Sequence, residues 1–139
     1  MCKYWEEENV RLIGEEVLME HEDEFRKIIE NDIRIGWLLT DKEKKSKGRL
    51  THADCKKVPE EWKWCCPYDF LITVYHPNIT HMDAEQLHTL LWHELKHIGV
   101  EDGLACPKLS IRPHDTEDFK EIIEQKGIDW SLQRKEKKP

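Results

Sequence analysis

Nowhere in these 139 residues do eighteen apolar residues run together, so no segment reads as a membrane-spanning helix. The amino terminus, Met-Cys-Lys-Tyr-Trp-Glu-Glu-Glu, has no apolar core of the signal-peptide kind, and the expectation is a cytoplasmic protein. Cysteine is sparse and unpaired in pattern. Cys2, Cys55, Cys65, Cys66 and Cys106 form no C-x-x-C pair, and an odd count argues for free thiols over a disulfide framework. A metal site built from Cys55, Cys65, Cys66 and Cys106 starts poorly, because adjacent cysteines suit a tetrahedral site badly. Positive charge is also in deficit. With 22 basic against 29 acidic residues and a net charge of -7, the whole-molecule field offers no general affinity for nucleic acid or anionic membrane. Internal repeats and long linkers are missing, which leaves one domain, 1–133, followed by a charged, disordered tail, 134–139.

What is present is charge and tryptophan. Charged residues make up 37% and mean hydropathy is -0.78, a balance that leans towards disorder unless apolar residues cluster. Here they do, helped by six tryptophans. Local charge departs from the average at residues 41–50, which carry five basic and two acidic residues. A solvated hairpin tip explains that run better than a nucleic-acid patch, although contact with nucleic acid through 41–50 stays open.

Along the chain, Trp5, Val10, Ile13, Val17 and Leu18 among glutamates predict an amphipathic helix over residues 4–20. Phe25, Ile28 and Ile29 continue a helical set after a break near His21–Asp23, and Asn31-Asp32 reads as a turn. Ile33–Thr40 predicts a strand with a bulge at Gly36, and Leu50–Val58 a second strand antiparallel to it. Trp62, Trp64, Cys65 and Cys66 read as core filling or a small cap. Phe70–His76 is the clearest strand, expected at a sheet edge where its backbone could hold an extended peptide. Thr80 or Asp83 caps the next helix, which Gly99 ends. Residues 100–113 read as a loop. Asp115 or Thr116 caps a last helix through Gln125, with Phe119, Ile122 and Ile123 on its buried face, and Trp130 and Leu132 form a final anchor.

The chemistry lies in His93-Glu94-Leu95-Lys96-His97. Two histidines four apart share one helix face, so their rings can converge on one ion with Glu94 beside them. Neutral imidazoles bind Zn²⁺ without cancelling its charge, which leaves it acidic enough to bring a bound water to a pKa of about 7. The motif arises by chance in roughly one chain in a few hundred, so its setting matters. Leu87, Leu90, Leu91, Leu95 and Ile98 recur at helical spacing around it. His88 points off that face.

A catalytic zinc takes three protein ligands, so the helix is one short. Candidates downstream are Glu101, Asp102, His114, Asp115 and Asp118. Val100 and Gly103 stand where a metzincin needs glycine and histidine, which removes that class. His114 is favoured, because the 16-residue connection from His97 is long enough to turn back and imidazole is the commonest partner. Asp115 and Asp118 are the alternatives. Tyr68, Tyr75, His76 and His81 are candidate donors to a developing oxyanion, among which the sequence alone does not choose, and Tyr75 and His76 are carried forward.

Tyr68-Asp69-Phe70 entering an apolar strand, the His93–Ile98 stretch, and His114-Asp115 with Glu117-Asp118-Phe119 resemble the putative phage metallopeptidase family, which is distantly similar to SprT-like zincins. The resemblance implies an α+β fold, a minimal zincin with a small mixed or antiparallel sheet, an N-terminal helix, an active-site helix and a C-terminal helix. It further implies zinc as the metal, a phage or prophage source with the host cytosol as compartment, His114 as third ligand, and Asp115 as a residue that orients a ligand histidine. The function expected is a zinc metallopeptidase acting on protein or peptide with Glu94 as general base. The rival is a zinc-containing phage binding or regulatory protein on the same scaffold that cleaves nothing in general.

Overall fold

The computed structural model describes residues 2–46, 48–103, 106–113, 120–126 and 130, with backbone only at 46, 120, 121 and 123. In chain order its elements are β1 (Tyr4–Glu6), α1 (Glu8–Glu20), α2 (Arg26–Glu30), β2 (Ile35–Thr40), β3 (Lys45–Ser46), β4 (Arg49–Leu50), β5 (Ala53–Lys57), β6 (Phe70–Tyr75), α3 (Ala84–Lys96), β7 (Ile98–Glu101), β8 (Lys108–Ile111) and α4 (Lys120–Lys126). The result is a small α+β fold around a mixed sheet of order β1-β2-β6-β5. β2 and β6 run parallel, while β1 on β2 and β5 on β6 are antiparallel.

Hydrophobicity decides the strand order. Phe70–Tyr75 is apolar on both faces and takes an interior place, where parallel neighbours and buried faces suit such a run. It is therefore not the edge strand expected from sequence. Ala53–Lys57, with Asp54, Lys56 and Lys57, takes the edge instead, and it pairs with β6 and not with β2 as expected. Register is regular through Gly36, which faces Leu71 without a bulge. That glycine answers to crowding: a Cβ there would lie 2.6 Å from Leu71 Cδ2 and 2.8 Å from the Tyr68 ring.

Helices α1 and α3 cover the sheet face bearing Trp37, Phe70, Ile72 and Val74, and Val17, Leu90, Leu91 and Leu95 fill the layer between. Each such buried side chain contributes about 1.5–3 kcal/mol. The α1 helix starts later than its apolar pattern suggests, because Tyr4–Glu6 pairs with Leu38–Thr40 and Glu7 becomes the cap, its carboxylate accepting from Asn9 N. α3 opens with a capping box, Gln86 N donating to Asp83 Oδ1 at 2.8 Å and Asp83 N to Gln86 Oε1 at 3.0 Å. Asp83, not Thr80, is thus the cap.

Three further expectations are corrected. Trp62 and Trp64 are exposed at 59% and 87%, not core: Trp62 ends the 3-10 turn Glu60–Trp62 and Trp64 follows it, with Lys63 between them tied to Asp69. Gly99 does not end the helix, since α3 stops at Lys96 and Gly99 lies in β7. Residues 100–113 are not a loop. β7 and β8 form an antiparallel hairpin, and the glycine and prolines that signal a loop belong largely to its turn. Strands of four residues carry too little alternation to outweigh those breakers. The basic run folds as the β3–β4 hairpin, which Asn78 holds by donating to Lys44 O and Thr51 O at 2.9 and 2.7 Å. No described helix is long and apolar enough to cross a membrane.

Candidate metal centre

The five residues of the motif divide their work by helical angle. Leu95 points into the core and is fully buried. Lys96 turns to the rear, where its ammonium lies 2.6 Å from Glu24 Oε2 while Trp92 Nε1 donates to Glu24 Oε1 at 3.0 Å. Those contacts lock the helix against rotation, which leaves His93, Glu94 and His97 on the remaining face. One ligand-capable atom from each of these three lies within 4.8 Å of the others. Their rings stand 5.1 Å apart at 67°, and Glu94 is 4% exposed with an oxygen 3.8 Å from His93 Nε2.

His97 is held from outside the helix. Its Nδ1 sits 2.7 Å from Arg112 O, and its own carbonyl accepts from Arg112 N at 2.6 Å. A carbonyl only accepts, so Nδ1 carries the proton and Nε2 is the nitrogen that bears the lone pair. Arg112 follows β8, so the hairpin that had no sequence signal is what aims this ring. Two imidazoles and a carboxylate that converge in this way could hold a divalent transition metal.

The edge strand runs beside this group. Tyr75 N donates to His52 O and Val58 N to Asp69 O, both at 2.9 Å, and by antiparallel alternation Ala53, Cys55 and Lys57 turn their N–H and C=O groups away from β6. β8 passes close to β5 without pairing with it. Cys55 faces inward from β5, and burial first, then the charges of Glu94 and Asp54, push its thiol pKa well up. The Trp130 ring lies 6.0 Å from that of His93, with its carbonyl accepting from Gln86 Nε2 at 3.1 Å.

The preferred donors are placed elsewhere. Tyr75 donates to Asp54 Oδ2 at 2.5 Å on the sheet face opposite α3, and burial with that bond raises its pKa. His76 lines an apolar cavity with Val10, Ile13, Leu39 and Leu87, at the start of α3. Tyr68 hydrogen-bonds Glu6, beside β1. His81 stacks edge-on with His52 at 5.8 Å. His114, Asp115 and Asp118 lie outside the described residues, as do Asp115 and Thr116 as helix caps, Phe119 and Leu132. Ile122, expected on the buried face of the last helix, and Trp130, expected as part of the final anchor, are both buried. His88 faces Glu20 at 2.9 Å, in a mostly exposed group with Glu16. Among the described residues neither metal-ready group includes a cysteine, and all five thiols are free.

Sequence reasoning missed Arg112, and it named Cys55 without placing it on the strand beside the motif. Their nearness to the motif follows from strand pairing across the sheet and hairpin, which leaves no local periodicity to read.

A family profile described as "putative phage metallopeptidase" matches residues 2–136, nearly the whole chain. The chain belongs to that family. Membership supports a metal-dependent peptidase acting on protein or peptide, and the His93-Glu94-His97 group is a place where this family member could hold its metal. Neither curated proteins nor solved structures returned a match.

Proposed function

We propose that this chain is a zinc peptidase of the HExxH type, with His93, His97 and His114 as ligands and Glu94 as general base. The observation that carries the reading is the convergence of His93, Glu94 and His97, with the His97 proton already committed to Arg112 O. When bound, zinc supplies Lewis acidity, lowering the pKa of a water to about 7 and polarising the scissile carbonyl. Glu94, buried beside the two imidazoles, accepts a proton from the attacking water and returns it to the leaving amine. Its burial keeps bulk water away from that transfer. Asp115 or Asp118 takes the third place if His114 does not. The free edge of β5 offers backbone groups from Ala53, Cys55 and Lys57 to a peptide lying extended across the site.

The test pairs zinc content with cleavage of a quenched fluorogenic peptide library, for wild type and Glu94→Gln. Equal zinc with cleavage lost by 10²-fold or more in the variant is expected, given the usual weight of a general base of about 10²–10⁴. A wild type that holds zinc yet cleaves nothing, including unfolded protein, favours the rival binding role. Zinc equally present and cleavage unchanged in Glu94→Gln removes Glu94 from the mechanism.

A further inference from the structure

Two candidate ligands share one helix, and the helix fixes only where their rings begin. Each imidazole still turns about two side-chain torsions, so a site that binds metal well holds both rings from outside the helix. For His97 the holder is Arg112 O. Around His93 lie the His97 ring at 5.1 Å, a Glu94 oxygen at 3.8 Å and, from a distant part of the chain, the Trp130 ring at 6.0 Å and 45°. Trp130 is only 8% exposed, so its indole is itself packed and presents a fixed wall to the imidazole.

Gln86 tethers that wall. Its Nε2 donates to Trp130 O at 3.1 Å, and with Gln86 2% exposed the bond is shielded from competing water. The oxygen of the same amide accepts from Asp83 N at 3.0 Å and closes the cap of α3. Seven residues, two helical turns, separate Gln86 from His93, so both lie on one face of α3, about 10 Å apart along its axis. One amide thus joins the start of the helix to the segment that walls its metal-ready face. Resting on the peptidase reading above, in which His93 is a ligand, we infer that Gln86 is a positioning residue for His93 and acts through Trp130. Without the bond the Trp130 backbone is released, the indole leaves the imidazole room for a second rotamer, and binding pays for selecting the competent one.

Gln86→Glu separates the two tasks of the amide. A glutamate there still accepts from Asp83 N and keeps the cap, but its carboxylate has no N–H for Trp130 O. Zinc affinity, read by competition with a chromophoric chelator, should fall about tenfold or more, while the helix content of the metal-free protein by circular dichroism matches wild type. In the metal-free protein, the imidazole NMR signals of His93 should shift and broaden, with those of His97 unmoved. Trp130→Leu, which fills the space without an indole, should cost as much zinc affinity, Trp130→Phe should recover part of it, and Gln86→Glu added to Trp130→Leu should cost little more. If His93→Ala loses zinc and Gln86→Glu holds it within a factor of two of wild type, this inference falls and the peptidase reading stands. The same follows if the losses of Gln86→Glu and Trp130→Leu add in full, or if the His93 signals of metal-free Gln86→Glu match wild type. Where Gln86→Glu does not fold, Trp130→Leu decides, and unchanged zinc affinity in it overturns the inference. A wild type that binds no zinc, or a His93→Ala that binds it equally well, overturns the assignment of His93 as ligand and this inference with it.

Discussion

At the scale of single residues, the motif shows how one helical turn can serve two masters. Leu95 and Lys96 belong to the fold, one in the core and the other on Glu24, while His93, Glu94 and His97 belong to the site. The spacing alone was enough to bring these three together, because helix geometry is local. The third ligand is a different matter. His114 was reached by chemistry and chain length, and it lies outside the described residues. If it completes the site, His114→Ala should lower zinc content and affinity as far as His97→Ala does, measured by metal analysis after dialysis against a weak chelator. Full retention of zinc would move the ligand to Asp115 or Asp118. The candidate oxyanion donors show the limit of single-residue reading. Tyr75 and His76 adjoin the right strand in sequence, yet pleat alternation turns Tyr75 to the far face and His76 lies by the start of α3.

At the scale of elements, the β7–β8 hairpin connects fold to site. Its strands are drawn close at Gly99, where a Cβ would lie 2.4 Å from Ser110 Oγ and 3.2 Å from Ser110 O. Two residues on from Ser110, Arg112 clamps both the carbonyl and the Nδ1 of His97. Gly99→Val should therefore push β8 away, loosen the ring and weaken zinc binding by about 10–100-fold, the usual cost of losing the support of a metal ligand. A competition titration against a chromophoric chelator measures it. Zinc affinity within a factor of two of wild type would show that α3 aims His97 unaided. The hairpin was invisible in sequence because its four-residue strands find their partners in each other, and glycine and proline dominate the local signal. The cap at Asp83, by contrast, was one of two candidates legible in the sequence, since a cap stands beside the helix it opens, and the reciprocal bond with Gln86 decides for it over Thr80.

At the scale of the whole molecule, a metal held at this site would be coupled to the fold. The site joins α3 to the hairpin through His97, so a ligand that binds only the folded chain stabilises it by mass action, about 2.7 kcal/mol at a hundredfold excess over Kd. Removing zinc with a chelator should then lower the melting temperature by on the order of 10 °C in a chain this size, read by circular dichroism with and without added zinc. An identical melting curve would place the metal, if bound, on a surface uncoupled from folding. One dominant strand, the capping signal and the histidine spacing were all decided by residues near one another in the chain, and from these came the buried helix and the candidate metal pair, while the α+β class came from the resemblance to the family. Only the tertiary structure decided that β6 is interior and β5 the edge, that Trp62 and Trp64 face solvent, and that Arg112 clamps His97. Strand order and hairpin docking are set by competition among segments distant in sequence for the same buried surface, and no single segment records its outcome.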